Sequence, residues 1–306
     1  MSGSFDEYDL LRRLASFGLG DAGLEVPNGD DAAVAAWNAG DRLVVALDTV
    51  VDGVHASGAF AVEELARKVV RANVSDLAAM GAEPRLFLLG LGLPRGGAEV
   101  ADRVMEIVAA ECRAFGMALA GGDTVVGPGP LTLSGTVIGA ARGPVFRRSG
   151  AAPGDLLCAT GAFGGSILGR HAAFTPRLEE SRELARLGPP TAATDVSDGL
   201  ARDTDNLARA SGVGAVLESA AIPIHADARH HAARSGRDPL DHALHDGEDF
   251  ELLFTWPAAN RESLENGWKA PAPVRVLGRM IEEPGLFLEH AGRRERLDAG
   301  GYRHRS

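Results

Sequence analysis

Lysine is nearly absent from this 306-residue chain, although charged residues make up 24% of it. Lys68 and Lys269 are the two lysines, and neither follows a GxxxxG stretch. A P-loop needs a lysine at that place to reach the β- and γ-phosphates of a nucleotide. The scarcity of lysine therefore excludes a P-loop, and any use of ATP must follow another route.

An excess of positive charge is also lacking. The chain has 31 Lys and Arg against 42 Asp and Glu, a formal net charge of −11. Nucleic-acid binding needs a basic surface that displaces counterions from the phosphates, so we expect no nucleic-acid partner. An acidic protein can still bind phosphates through metal ions or helix N-termini.

Cysteine and long apolar runs are equally scarce. Cys112 and Cys158 lie far apart and outside any CxxC pair, which argues against a disulfide framework and a zinc knuckle. The longest apolar run, Leu86 to Leu93, is too short to span a bilayer. The opening MSGSFDEYDLLRR lacks the basic and then apolar run of a signal peptide. We expect a cytoplasmic protein without a membrane partner.

Apolar periodicity predicts alternating helices and strands, as in α/β and α+β folds. The expected helices cover Phe5–Phe17, Val62–Met80, Glu99–Phe115 and Asp198–Ala210, and another follows the glycine turn GAFGGS. The expected strands lie at Ala33–Trp37, Leu43–Asp48, Leu86–Leu93, Met117–Ala120, Leu131–Ala140, Leu156–Thr160, Ala192–Asp195, Ala215–Leu217, Glu251–Thr255, Val274–Leu277 and Leu286–Glu289. Residues 141–155 break this periodicity with Gly, Pro and Arg. We therefore expect two domains, 1–142 and 143–306, each of an ordinary domain size.

Acidic residues cluster where elements end or in loops, and most such residues in proteins are merely solvated. Asp76 differs because, at 100° per residue, it falls inside the apolar stripe of its helix, whereas Lys68 falls on the polar side. A carboxylate on a buried face must be paired, hydrogen-bonded or bound to a cation. A metal site and a structural salt bridge with an arginine both satisfy that condition.

Two further patterns place carboxylates at the ends of strands. Asp48 ends one strand, and Asp123 follows another through a glycine pair that lets backbone approach a ligand closely, although GGD also makes an ordinary turn. In TDVSDGL, Asp195, Ser197 and Asp198 lie where a strand becomes a helix. Ser197 or Asp198 can be a simple N-cap, but oxygens at a positive helix end also suit a Mg²⁺–phosphate complex. Oxygen ligands without Cys or His clustering favour Mg²⁺ over zinc.

The motifs GDDAAV, LDTVVDGVH, ANVSDLAAMGAEP, LAGGDTV, RRSGAAPGD, TDVSDGL and DGEDFELLF occur in the order seen in thiamine-monophosphate kinases. The whole chain resembles that family, which belongs with aminoimidazole ribonucleotide synthetase, selenophosphate synthetase and the hydrogenase maturation dehydratase. The resemblance implies a two-domain aminoimidazole ribonucleotide synthetase-like fold. It also implies a homodimer in which the N-terminal sheets of two subunits pair, with ATP near the interface.

The family's activity is direct transfer of the γ-phosphoryl group of ATP to thiamine monophosphate, with several Mg²⁺ ions. The resemblance implies metal ligands at Asp30, Asp31, Asp48, Asp76, Asp123, Asp195 and Asp198. It implies ATP contacts at Gly122, Asp123, Arg148 and Ser197, with Arg148 as a charge clamp. It implies substrate contacts at His55 and Glu248, and Ala299 aligns with an aromatic residue that contacts the substrate in the family.

The chain departs from the family on the thiamine side. The aromatic is lost at Ala299, a hydroxyl residue beside Asp48 is replaced by Leu47, and the segment 161–176 is shorter. Two alternatives therefore stay open: a kinase of this fold that acts on another small phosphorylated acceptor, and a non-catalytic protein that binds Mg²⁺–ATP. A selenophosphate synthetase would call for a reactive Cys and Lys near the N-terminus, which this chain lacks.

Overall fold

A computed structural model describes residues 24–26, 33–37, 40–55, 62–95 and 98–300. The predicted helix at Phe5–Phe17 and the predicted ligands Asp30 and Asp31 lie outside these residues. The described strands are β1 (Leu24–Val26), β2 (Ala33–Trp37), β3 (Asp41–Val51), β4 (Glu83–Pro94), β5 (Ala118–Gly127), β6 (Thr132–Ala141), β7 (Leu156–Thr160), β8 (Ala192–Asp195), β9 (Gly214–Glu218), β10 (Leu252–Trp256), β11 (Val274–Ile281), β12 (Gly285–His290) and β13 (Arg293–Arg296). The described helices are α1 (Val62–Ala79), α2 (Ala98–Ala114), α3 (Arg170–Ala173), α4 (Leu178–Leu187), α5 (Leu200–Ser211), α6 (Ala226–Ser235), α7 (Pro239–His245) and α8 (Arg261–Gly267).

The strands form two sheets, so the predicted mixed α/β fold is confirmed. The first sheet has six strands in the order β1-β2-β3-β6-β4-β5, and the second has seven in the order β13-β12-β9-β11-β7-β10-β8. Most neighbours are antiparallel; β4 with β5 and β9 with β12 are the described parallel pairs. None of the helices within the described residues is long and apolar enough to cross a membrane.

The second sheet is covered on both faces. Successive side chains of its strands point to opposite faces, and each face packs in a different hydrophobic cluster. Leu157 and Leu253 belong to a cluster with residues of α5 and α7. Cys158 and Phe254 belong to the other cluster, which also contains residues of α1 and of the first sheet. A period of two is what a strand requires for this division. The two sheets are therefore joined through a shared core.

The first sheet is covered on one face. Along β3 the buried residues are Val44, Ala46 and Val50, which pack with α1, whereas Leu47 is 62% exposed on the other face. In β4 the buried Leu89 and Leu91 continue the covered face, and Gly90 between them points away from it.

The predicted end of the strand Met117–Ala120 is wrong. Strand β5 continues to Gly127, because its backbone pairs in parallel with β4 from Ala118 to Gly127, with one irregularity at Ala120. The turn GAFGGS is followed by a single 3₁₀ turn at Ser166–Leu168 and then by the short helix α3. Helix α5 begins at Leu200 rather than at Asp198.

Candidate active site

A cavity of about 180 Å³ lies where the end of β3, helix α1, the β8–α5 turn and the segment before β10 meet. Seven of the residues that the sequence singled out line it together: Asp48, His55, Asp76, Asp195, Ser197, Asp198 and Glu248. They come from positions up to 200 residues apart in the chain. Carboxylates, a hydroxyl and an imidazole thus converge on one small volume.

Helix α1 contributes Asp76 to this cavity and carries two further polar residues inside the fold. Asn73 and Ser75 are fully buried, and Asp76 is half-buried at the cavity wall. The Ser75 hydroxyl donates a hydrogen bond to Asp195 Oδ2 at 2.6 Å, which ties α1 to the end of β8. The Asn73 amide donates to the Val69 carbonyl at 2.7 Å. Asp76 therefore lines the cavity itself, while Ser75 holds the cavity residue Asp195 from behind.

The β8–α5 turn does not use its side chains to cap the helix. The N-cap position of α5 is Gly199, without a side-chain hydrogen bond, so the simple N-cap interpretation of Ser197 and Asp198 is wrong. Instead the Asp198 amide donates to Asp203 Oδ2 at 2.9 Å. Burial and the neighbouring charges of Asp198 and Asp195 raise the pKa of Asp203 well above its ordinary value. The turn thus concentrates negative charge at one end of the cavity.

His55 follows β3 in a tight turn that fixes its ring. The Val51 amide donates to His55 Nδ1 at 3.1 Å. Because a backbone amide is only a donor, Nδ1 is the accepting nitrogen and the ring proton of the neutral imidazole lies on Nε2. The ring is thereby held in one tautomer at the edge of the cavity.

Lys68 and His171 are cavity residues that the sequence analysis missed. Lys68 was assigned to the polar side of α1, which is wrong: it is 2% exposed and lines the cavity. A signal was present, since Lys68, Ala72 and Asp76 are spaced by four and share a helix face. His171 is 0% exposed and lies 3.0 Å from the Lys68 ammonium through Nδ1. Its place depends on the contact between α3 and α1, which no local pattern reveals.

The segment before β10 divides its acids between two environments. Glu248 faces the cavity, whereas Asp249 accepts the Gly164 amide at 3.0 Å and Arg170 at 2.9 Å. Burial raises the pKa of Asp249 to about 7, against the opposing effects of Arg170 and the Gly164 amide. The Gly165 amide binds Asp246 at 3.0 Å. The amides of the GAFGGS turn therefore bind carboxylates of the chain itself.

The remaining predicted residues lie outside this cavity. Asp123 is exposed on the edge strand β5, where it accepts the Thr124 amide at 2.9 Å. It pairs with Gly90, so its side chain lies on the uncovered face of the first sheet. A side chain at Gly122 would collide with the Leu89 carbonyl.

Arg148 lies near the β8–α5 turn, while Ala299 lines a different cavity. Arg148 Nε donates to Thr194 Oγ1 at 3.3 Å, one residue before Asp195. Ala299 borders a cavity of about 870 Å³ that also includes Arg202 and Arg296. In this structure Ala299 is therefore not in contact with the cavity that holds Glu248.

The donor set of the smaller cavity suits magnesium. Asp48, Asp76, Asp195, Asp198 and Ser197 offer hard oxygen ligands, and no cysteine lines the cavity. Within the described part of the chain, the one group of three His, Cys, Asp or Glu with ligand atoms all within 4.8 Å is His231, His242 and Asp246, which lies elsewhere. The cavity carboxylates are thus spread out. Mg²⁺ accepts such an arrangement because it is commonly bound by one or two carboxylates together with substrate phosphates and water.

Comparison with known proteins identifies the class first. Residues 29–141 match the family model "AIR synthase related protein, N-terminal domain", and residues 120–291 match "AIR synthase related protein, C-terminal domain". A curated thiamine-monophosphate kinase from Rhodopirellula baltica is 39% identical over 287 residues, covering 90% of each chain. The chain belongs to the thiamine-monophosphate kinase family of the AIR synthase related proteins.

Solved structures agree with this assignment. The crystal structure of thiamine-monophosphate kinase from Stenotrophomonas maltophilia K279a is 30% identical, with a TM-score of 0.72 and coverage of 94% of this chain and 98% of that one. A structure described as AaThiL complexed with AMPPCP and TMP has a TM-score of 0.84 at 24% identity and covers 98% and 97% of the two chains. At that identity the second likeness shows the fold.

Proposed function

We propose that this chain transfers the γ-phosphoryl group of ATP to the phosphate of thiamine monophosphate, which gives thiamine diphosphate and ADP. The observation that carries the proposal is the cavity that brings Asp48, Asp76, Asp195, Asp198 and Glu248 together. Relatives that cover 90% of the chain are named for this activity, and a neighbour of the same fold was solved with AMPPCP and TMP.

The chemistry of this transfer matches the residues of the cavity. A phosphate monoester is ionised near neutral pH, so the attacking oxygen needs no general base. The protein must instead align two polyanions and offset their charge. Bound Mg²⁺ ions supply that charge compensation and orient the phosphates. We assign their binding to Asp48, Asp76, Asp195 and Asp198, with Asp30, Asp31 and Asp123 as further ligands.

For the nucleotide we propose Gly122, Asp123, Arg148 and Ser197, with Arg148 as the charge clamp. For the thiamine side we propose His55 and Glu248. Ionised Glu248 is suited to the cationic thiazolium ring, because opposite charges attract strongly in a small, partly buried cavity. Ala299, in the position of an aromatic residue of the family, contributes little contact area to the substrate.

We further propose that the enzyme is a homodimer. Asp123 and Val125 lie on the uncovered face of the first sheet, and Leu47 and Val125 are exposed there to 62% and 61%. An apolar sheet face of this kind is typical of an interface. Pairing of this sheet with that of a second subunit would enclose Asp123 and bring it to a nucleotide at the interface. The domains 1–142 and 143–306 and a cytoplasmic location belong to the same proposal.

Phosphorus NMR of purified protein with ATP, Mg²⁺ and thiamine monophosphate tests the reaction. We expect the signals of a new diphosphate together with those of ADP, and their loss in a parallel sample with EDTA. If ATP stays intact, or if only inorganic phosphate is released, the proposed acceptor is wrong. Replacing thiamine monophosphate by other phosphate monoesters then distinguishes a kinase with another acceptor from a protein that binds Mg²⁺–ATP without catalysis.

A further inference from the structure

Lys68 lies in the cavity as a buried cation whose hydrogen bonds are all accounted for. Its ammonium donates to Glu248 Oε1 at 2.6 Å and to the His55 carbonyl at 2.9 Å, and it lies 3.0 Å from His171 Nδ1. A lysine ammonium has three donors and no acceptor, so with His171 Nδ1 as an accepting nitrogen these three partners use its full capacity. Lys68 therefore serves the protein itself rather than a phosphate of the substrates.

The three partners of Lys68 come from three separate parts of the chain. Lys68 belongs to α1, His55 to the turn after β3, His171 to α3, and Glu248 to the segment before β10. One ammonium thus holds both residues that we assign to the thiamine side. Few buried lysines are retained in proteins without such pairing, because an unpaired buried charge is costly.

Glu248 depends on this arrangement for its orientation and its charge. Its backbone has a φ of 54°, a left-handed conformation that is uncommon for a non-glycine residue. Its amide donates to the Ser197 carbonyl at 2.7 Å, while Oε1 meets Lys68 and Oε2 lies 3.2 Å from His171 Nδ1. The carboxylate is therefore held through its backbone amide and by Lys68 at Oε1, in the cavity that Asp48 and Asp76 also line.

We propose that Lys68 is a positioning residue that orients Glu248 to bind the cationic part of the substrate. This inference rests on the proposed function and deepens it, because it makes specificity for a cationic phosphate ester depend on a buried lysine in α1. Lys68 has no contact with the transferred phosphoryl group in this role. Its removal should weaken binding of thiamine monophosphate and leave binding of ATP unchanged.

A double-mutant cycle of Lys68→Met and Glu248→Gln tests the inference. Methionine keeps the apolar stem and removes the ammonium. We expect Lys68→Met to raise the KM for thiamine monophosphate roughly 10-fold or more, the size of a lost hydrogen bond to a charged group. The KM for ATP should change less than about 2-fold. Lys269→Met, at the chain's other lysine and on the surface, is the matched control and should leave both KM values unchanged.

The double variant decides between an indirect and an independent role. If Lys68 acts through Glu248, adding Lys68→Met to Glu248→Gln should raise the KM for thiamine monophosphate by less than about 2-fold, because the effects of coupled residues do not add. If Lys68→Met raises the KM for thiamine monophosphate by the same factor in the wild type and in Glu248→Gln, the inference is overturned. A rise in the KM for ATP also overturns it, because Lys68 would then act on the nucleotide phosphates.

Folding is followed by circular dichroism and thermal unfolding for each variant. Lys68→Met leaves Glu248 without its main cation, whereas the double variant removes both partners, so the double variant should melt at the higher temperature of the two. If Lys68→Met does not fold, Lys68→Arg takes its place, since arginine keeps the charge but cannot reproduce the three contacts of an ammonium. If the wild type and all variants consume ATP but none of them phosphorylates thiamine monophosphate, the proposed function has failed rather than this inference.

Discussion

At the scale of single residues, the charge on Glu248 is the central electrostatic feature of the site. Burial acts to raise the pKa of Glu248, but its contacts with His171 and with the Lys68 ammonium outweigh that effect and hold the pKa below its ordinary value. A depressed pKa means that the ionised form is favoured by the fold and is lost only when the pH falls through that lowered value. Glu248 should thus stay ionised throughout the neutral and mildly acidic range.

This charge state leads to a prediction about pH. The ratio of the KM for thiamine monophosphate of Glu248→Gln to that of the wild type should stay constant between about pH 5.5 and pH 8, because Glu248 does not titrate there. The ratio cancels the titration of the substrate phosphate, which is common to both measurements. Steady-state kinetics across this pH range measures the ratio of the two KM values. If the ratio falls toward one at low pH with a midpoint near pH 6, Glu248 of the wild type takes up a proton near neutral pH and the prediction is wrong.

Asp123 gives a second prediction at this scale. Since it is exposed on β5 and its one described hydrogen bond is to the adjacent amide, Asp123→Asn should leave the thermal unfolding temperature unchanged. As a proposed Mg²⁺ ligand it should nevertheless lower turnover by about 100-fold or more. Asp102→Asn, an exposed aspartate on α2, is the control for loss of a surface charge. Near-wild-type turnover of Asp123→Asn would remove Asp123 from the site.

The residues of the site were predictable from sequence where a local pattern marked them. Asp76 was marked by its place in an apolar stripe, and Asp195 by its place between a strand and a helix. Lys68 had only its spacing from Asp76 to mark it, and a single lysine at the border of a helix face is usually solvated. Its burial depends on His171 and Glu248, which lie more than 100 residues away in the chain. The location of Ala299 could not be predicted from the sequence either, because it depends on how the C-terminal segment packs.

At the scale of elements, β5 shows how tertiary pairing overrides local preference. Its sequence contains Gly121, Gly122 and Asp123, which strands disfavour, and this composition predicts a turn. The parallel strand β4 nevertheless pairs with β5 on both sides of an irregularity at Ala120, as far as Gly127. The glycines also allow the two backbones to approach closely, as the Leu89 carbonyl lies where a side chain of residue 122 would be.

Gly122→Ala should therefore destabilise the protein. The added methyl group forces β5 away from β4, and overpacking of this kind costs about 1–3 kcal/mol. Urea unfolding monitored by circular dichroism measures the loss. Gly129→Ala is the control, because a Cβ at that position meets nothing within 4 Å and the backbone is not left-handed. Equal unfolding midpoints for the two variants would contradict the close approach of the strands.

At the scale of the whole molecule, the two sheets differ in how they are covered. The second sheet has apolar clusters on both faces, whereas the first has α1 and α2 on one face and an exposed opposite face. The alternation of elements was enough to predict two α/β halves, but the period of two in β3 does not say whether its outer face meets solvent or another chain. The exposure of Leu47 and Val125 on that face supports the proposed contact with a second chain.

Val125→Glu tests the proposed dimer. In a two-fold interface the substitution appears twice, and each new carboxylate would have to be buried against apolar surface, so we expect the dissociation constant of the dimer to rise by about 100-fold or more. Sedimentation equilibrium should give a dimer for the wild type and a monomer for the variant at the same micromolar concentration. Met105→Glu is the control because Met105 is also an exposed apolar residue, at 41%, but lies on α2 away from this face.

Turnover then links the dimer to the nucleotide site. If Asp123 binds Mg²⁺–ATP only when a second subunit covers it, the specific activity of Val125→Glu should be low in dilute solution and should increase with protein concentration as mass action restores the dimer. The Met105→Glu variant should show no such dependence. A wild type that is monomeric and fully active at assay concentrations would contradict the proposed dimer, and a monomeric Val125→Glu that keeps full activity at every concentration would show that one chain holds the complete site.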